Sequence, residues 1–271
     1  MSGALPIAAN ISTLFREVPL LDRFEAARSH GFDGVEIQFP YTEPAEALAR
    51  AAVAANMPVV LINAPVVPSE HPLGIAGRPE LRSLFRAQLA QAGEYAEALG
   101  AQFVHVLAGI LPAEADRARA LFVYEENLRL AEEALRPRGV GVLIEPLNAA
   151  DAPGYLLGSF DLARSILSRH GPAIAMQFDA YHVTRMGLDL VEELHRALPC
   201  IRHVQFADAP GRHEPGTGNV RFHELLSALA HGRYRGWLGA EYFPSGATEH
   251  SLDWLAQWRA LLPGAVPPAR S

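Results

Sequence analysis

Residues 140–148 read VGVLIEPLN. A short apolar run rich in branched side chains ends in a carboxylate, Glu145, and a proline follows at once. That is the pattern of a strand buried on both faces. Pro146 has no amide proton and cannot continue a central sheet, so the strand stops there and Glu145 stands at its C-terminal end. A hydrophobic core has no use for a carboxylate at that place. In a barrel of parallel strands, this rim carries the chemistry.

Outward from it the pattern repeats. Apolar runs at 5–9, 34–39, 59–62, 103–107, 174–178, 202–206 and 237–240 read as the other strands. Helical patterns lie between them at 20–30, 45–56, 79–99, 117–135, 159–170, 188–198 and 222–231, and a last one spans 249–262. Pro79 is suited to open its helix and Gly100 to close it. Eight strand–helix units of about thirty residues make an α/β chain with the arithmetic of a (β/α)8 barrel. The rival, a doubly wound open sheet, is weakened by the absence of G-x-G-x-x-G after the first strand. Neither a linker nor a shift of composition divides the chain, so a single barrel domain is expected over 1–271, with 264–271 (GAVPPARS) as a frayed tail.

Composition narrows the function. Of 271 residues, 49% are hydrophobic and 20% charged, which is ordinary for a soluble protein, and the net charge of −7 disfavours nucleic acid or an anionic membrane as partner. Cys200 is the only cysteine, so neither a disulfide framework nor a cysteine zinc cluster is available. No apolar stretch is long enough to span a bilayer and no signal segment opens the chain, so the expected compartment is cytoplasmic.

In a barrel, the residues closing each strand face the mouth. Here they are Asn10, Gln38, Asn63, Gly109, Glu145, Asp179, Gln205 and Glu241. Strands five to eight therefore supply three carboxylates and one amide oxygen, and neighbouring strands lie only about 5 Å apart. Three converging anions raise one another's pKa values unless a cation joins them, and an all-oxygen set suits Mg2+ or Mn2+ better than zinc. His182, three residues after Asp179, is a candidate ligand or substrate donor, with a loop histidine of no role as the plain alternative. Arg212, in the loop after strand seven, suits an anionic or polyhydroxy substrate, or else is simply solvated. The glycines of that loop lack the Gly-Lys-Ser/Thr of a P-loop.

Other polar residues read as structure. His203 lies two residues below Gln205 on the same face, where a hydrogen-bonded core histidine is expected; Glu36 points inward as a buried polar partner. Trp237, Trp254 and Trp258 are expected to pack the last helix onto strand eight, the latter two sharing a helical face. No Ser/His/Asp or Cys/His arrangement suggests a nucleophile.

The motifs ANISTLF (9–15), GFDGVE (31–36), EEALRPRGVGVLIEPLN (132–148), QFDAYHVTRM (177–186), HVQFADAPGRHEPGTG (203–218) and GWLGAEY (236–242) resemble the hydroxypyruvate isomerase family of xylose-isomerase-like barrels. The likeness covers nearly the whole chain. It implies that Glu145, Asp179, Gln205 and Glu241 bind a divalent metal, that Glu145 and Glu241 transfer the proton, and that His182 and Arg212 hold a small 2-oxo or hydroxy acid. Gln205 departs from the epimerase and endonuclease branches, which carry histidine there. The implied reaction interconverts hydroxypyruvate and tartronate semialdehyde through an enediolate. Isomerisation of 2-oxo-tetronate and a non-catalytic sugar-binding barrel are the alternatives, and a homo-oligomer is plausible by resemblance alone.

Overall fold

The computed structural model describes residues 5–261, so the expected tail at 264–271 and the end of the last helix at Leu262 lie outside the described residues. Eight strands, β1 (Ile7–Asn10), β2 (Gly34–Ile37), β3 (Val59–Asn63), β4 (Phe103–His105), β5 (Gly141–Ile144), β6 (Ile174–Asp179), β7 (Ile201–Phe206) and β8 (Trp237–Ala240), pair in parallel and in sequence order. β1 also pairs with β8, which closes the barrel. Between and after them run α1 (Arg23–Ser29), α2 (Ala45–Ala54), α3 (Arg82–Leu99), α4 (Arg117–Leu135), α5 (Phe160–Leu167), α6 (Ala180–Arg185), α7 (Leu190–Ala197), α8 (Phe222–His231) and α9 (Asp253–Leu261). No helix among the described residues is long and apolar enough to cross a membrane.

Local chemistry sets the element ends. Ser159 Oγ accepts from the Leu162 amide and caps α5, and Gly100 closes α3 with a left-handed φ of 60°. Pro79 begins a 3-10 turn (Pro79–Leu81) before α3, not the α-helix itself. Residues 180–185 lie outside the helical patterns read from the sequence. They form α6, because Asp179 ends β6 and at once caps a helix by accepting the Tyr181 amide at 2.9 Å.

The strand pleat sorts side chains into two cores. Outward residues such as Val142 and Ile144 join the large shell under the helices. Inward residues Ala8, Leu61, Leu143 and Ala175, with Phe103 and Trp237, plug the N-terminal end of the barrel. Trp237 thus belongs to the barrel floor and does not pack the last helix, a correction that strand parity explains. Its ring lies 2.9 Å from where a Cβ on Gly34 would stand. Trp254 and Trp258 do pack α9 inward: their rings meet Phe206 of β7, with centroids at 5.1 and 4.5 Å, and Trp254 Nε1 donates to the hydroxyl of Tyr242, just beyond β8, at 3.1 Å.

Above the floor the interior turns polar. Glu36 accepts from His203 Nε2 at 2.6 Å and Gln205 Nε2 at 2.7 Å, so the buried partners expected at both positions meet each other. Gly239 makes room for them, since a Cβ there would overlap Glu36 Oε1 and come within 2.9 Å of His203 Nε2. Gly239→Ala is accordingly expected to destabilise the protein by about 3 kcal/mol, the upper range for overpacking an unyielding core. Chemical denaturation of the variant beside wild type checks this, and an unchanged midpoint would count against it.

Candidate active site

Glu145, Asp179, Gln205 and Glu241 are all buried at the C-terminal end of the barrel, where β5 to β8 deliver them. Register brings Asp179 level with Gln205, and the Glu241 amide bonds the Phe206 carbonyl one step above. Ligand atoms of Glu145, Asp179 and His182 lie within 4.8 Å of one another. Glu241 holds a different set of partners. Its Oε2 accepts from Gln205 at 2.8 Å and Asn10 at 3.1 Å, and its Oε1 accepts from Arg212 at 2.5 Å.

Two amides underlie the acids. Gln177 Nε2 donates to Glu145 Oε2 at 2.8 Å and to Gln205 Oε1 at 2.5 Å. Gln205 Nε2 passes the chain on to Glu241 and Glu36. The Gln205 oxygen is therefore turned to Gln177, and its nitrogen, not its oxygen, faces Glu241. The sequence reading missed Gln177, and also His105, whose Nδ1 lies 3.7 Å from Glu145 Oε2. Both are inward by strand parity, one layer below the rim, and that parity was the signal available.

Arg212 reaches the acids from a loop that Asp208 organises. The Asp208 carboxylate is buried and accepts the main-chain N–H groups of Ala209, Gly216, Gly218 and Val220 at 2.8–2.9 Å. Arg212 itself has a left-handed φ of 57°. That conformation is costly for a residue with a side chain and is typical of functional sites. It aims the guanidinium at Glu241, with Asp179 Oδ2 at 3.5 Å and the Tyr181 ring centroid 4.9 Å below.

His182 is not in a loop but on α6, fully buried. Its Nε2 stands 3.7 Å from Asp179 Oδ2 and 3.9 Å from Glu145 Oε1. Burial, with Arg212 nearby, pushes its pKa down to about 3, so the ring is neutral.

The carboxylates move the other way. Burial, then the Asp179 and Glu241 charges, holds Glu145 well above the usual carboxylate range. Burial raises Asp179 to about 6 and Glu241 to about 7, with Arg212 opposing the rise in both. Arg212 would be lowered by burial, but Glu241, Asp179 and Glu145 more than offset this and keep it charged. Between an ordinary value near 4.5 and about 7, folded metal-free protein keeps on Glu241 a proton that the unfolded chain has released. The contribution is stabilising below that window and is lost as pH rises through it. Metal-free protein is therefore expected to melt at lower temperature at pH 7.5 than at pH 5, as scanning calorimetry would register.

A cation fits this donor set. Glu145 Oε1 and Asp179 Oδ2 are buried carboxylate oxygens without a hydrogen-bond partner, a situation that is costly unless something positive joins them.

The closed barrel agrees with what the chain matches. A family described as xylose isomerase-like TIM barrel covers residues 24–258. The chain belongs to that family. Within it, the chain is 41% identical to 2-oxo-tetronate isomerase of Cupriavidus necator over 92% of this chain and 96% of the relative. It is 35% identical to hydroxypyruvate isomerase of Escherichia coli strain K12 over 94% of this chain and the whole of the relative. A crystal structure named AP endonuclease, family 2, from Brucella melitensis superposes with a TM-score of 0.90 at 38% identity, covering 93% of this chain and 98% of that one.

Proposed function

We propose that this barrel is a cation-dependent isomerase of small 2-oxo acids, interconverting hydroxypyruvate and tartronate semialdehyde. One observation carries the reading. Two buried glutamates with raised proton affinity, Glu145 and Glu241, flank an aspartate and an arginine, and one oxygen each of Glu145 and Asp179 lacks a hydrogen-bond partner. A general acid–base pair for moving a carbon-bound proton at neutral pH needs groups that titrate near it, and Glu241 does.

Glu145, Asp179 and Glu241, with Gln205 once its amide turns over, would hold Mg2+ or Mn2+. The cation when bound supplies Lewis acidity toward the substrate carbonyl. The chain's own residues do the rest. Arg212 draws in the carboxylate of the 2-oxo acid and offsets the charge that develops on the enediolate. One glutamate removes a proton from the hydroxyl-bearing carbon, and a carboxylic acid returns one to the neighbouring carbon. The hydroxyl proton passes to the former carbonyl oxygen, so the exchange is redox-neutral and needs no nicotinamide or flavin. The chain contains no lysine, all 23 of its Lys and Arg residues being arginine, which removes a lysine Schiff-base route.

The C. necator relative's name favours the four-carbon 2-oxo-tetronate as a second reading with the same machinery. An endonuclease reading fits less well, because a cluster of buried acids on a chain of net charge −7 repels a polyphosphate backbone. A non-catalytic sugar binder would not require paired proton-holding glutamates. Proton NMR in D2O separates these. Protein loaded with Mg2+ or Mn2+ should incorporate deuterium into hydroxypyruvate and form the aldehyde product. Turnover of 2-oxo-tetronate alone would move the substrate, and silence on both would overturn the isomerase reading.

A further inference from the structure

Asn148 lies two residues beyond Pro146 and is buried against His182. Its Oδ1 accepts the main-chain N–H groups of Ala150 at 3.1 Å and Asp151 at 3.0 Å. Its Nδ2 donates to Asp151 Oδ2 at 2.8 Å. Turning the amide over would set an NH2 group against two N–H donors and an oxygen against a carboxylate. The orientation is therefore fixed by the chain around it.

This leaves two donors aimed at one ring nitrogen. Asn148 Nδ2 stands 2.8 Å from His182 Nδ1, and the Asn148 main-chain N–H donates to the same atom at 3.2 Å. A nitrogen that accepts two hydrogen bonds offers its lone pair and carries no proton. In a neutral imidazole the single proton is then on Nε2. That atom faces Asp179 Oδ2 and Glu145 Oε1, the two oxygens without a hydrogen-bond partner.

We propose that Asn148 is a positioning residue that fixes His182 as the Nε2–H tautomer, making His182 a hydrogen-bond donor in the site and barring it from ligating the cation. Histidine ligands ordinarily give their second N–H to a carboxylate or carbonyl oxygen, which leaves the facing nitrogen free to bind metal. Asn148 inverts that arrangement by presenting donors where an acceptor would be needed. Two consequences follow. The cation site keeps oxygen donors only, which favours a hard ion such as Mg2+ or Mn2+. The His182 N–H is also directed to where a substrate oxygen would lie between the two acids; this second consequence rests on the isomerase reading, whereas the tautomer does not.

The test is long-range 1H–15N NMR on full-length protein labelled at its 11 histidines, with the His182 signals assigned by their loss in His182→Asn. Spectra are recorded cation-free, with Mg2+ and with Zn2+. The expected result is an Nε2–H tautomer in all three. A second variant, Asn148→Asp, keeps an acceptor for the Ala150 and Asp151 amides but offers His182 Nδ1 a carboxylate oxygen. It should convert His182 to the Nδ1–H form and tighten Zn2+ binding at least tenfold relative to Mg2+ by titration calorimetry. It should also lower kcat with little change in KM. Wild-type protein with a proton on Nδ1, or an Nε2 resonance that becomes metal-bound on adding Zn2+, overturns the proposal whatever the Asn148→Asp chain does. An Nε2–H tautomer in a protein that turns over neither acid would sink the isomerase reading and leave the tautomer standing. Turnover with His182 protonated at Nδ1 would do the reverse.

Discussion

Glu145→Gln and Glu241→Gln proteins are each expected to lose about 10^3-fold in kcat, near the middle of the range for removing a positioned acid–base group. The two should differ sharply in stability. Glu241 is surrounded by donors on both oxygens, from Gln205 and Asn10 on one and Arg212 on the other. A glutamine there must set its NH2 group against one of these sets, and Arg212 loses its nearer anionic partner. Glu145 has donors on one side only. Gln177 serves Oε2, while Oε1 is buried and unpaired beside Asp179. A glutamine at 145 can keep its oxygen toward Gln177 and turn its nitrogen to the Asp179 carboxylate. It also removes a carboxyl group whose ionisation burial and the neighbouring acids disfavour. Cation-free Glu145→Gln protein should therefore melt at or above the wild-type temperature and Glu241→Gln protein below it. Deuterium exchange followed by NMR measures the rates, and calorimetry the stabilities. A folded variant of either kind working at the wild-type rate would end the two-glutamate reading.

The frame of this protein was legible because strand, stop and acid recur in one order. VGVLIEPLN, AMQFDA, HVQFAD and WLGAEY each run from apolar residues into a polar one, and that residue lands on the rim. Glu36 and His203 were legible one layer deeper because parity alone put both inside. The same parity pointed to Gln177 and His105, but each sits within a run that reads as plain core, so nothing marked it as polar machinery. Asn148 was illegible for another reason. Its meaning depends on His182, 34 residues away in sequence, meeting its amide across the top of β5 and β6. α6 was hidden because Asp179 serves both as rim acid and as helix cap, and a six-residue helix shows too little periodicity to declare itself. Trp237 misled because a large aromatic beside a tryptophan-bearing helix suggests packing outward, whereas its place at the start of β8 points it into the barrel floor.

Removing divalent cations is expected to abolish solvent exchange of the substrate C–H proton, with activity returning on addition of Mg2+ or Mn2+. The charge balance at the rim argues for it. Glu145, Asp179 and Glu241 converge, and Arg212, which pairs with the last two, is committed mainly to Glu241. Near pH 6 protons held by the acids relieve the excess, since Asp179 lies at about 6 and Glu241 at about 7. By pH 8 those protons are leaving and the unpaired oxygens of Glu145 and Asp179 need a different partner. Cation affinity should therefore rise with pH, as protons stop competing for the same oxygens. A cation at a hundred times its Kd adds about 2.7 kcal/mol to stability. For a chain of this size that amounts to roughly 5 °C in Tm. The upward shift on adding Mn2+ should be larger at pH 8 than at pH 6 and absent from Asp179→Asn protein. Equal shifts at both pH values, or a full shift in Asp179→Asn, would place the cation elsewhere. Undiminished turnover after exhaustive chelation would leave Arg212 and the His182 N–H as the groups that stabilise the enediolate.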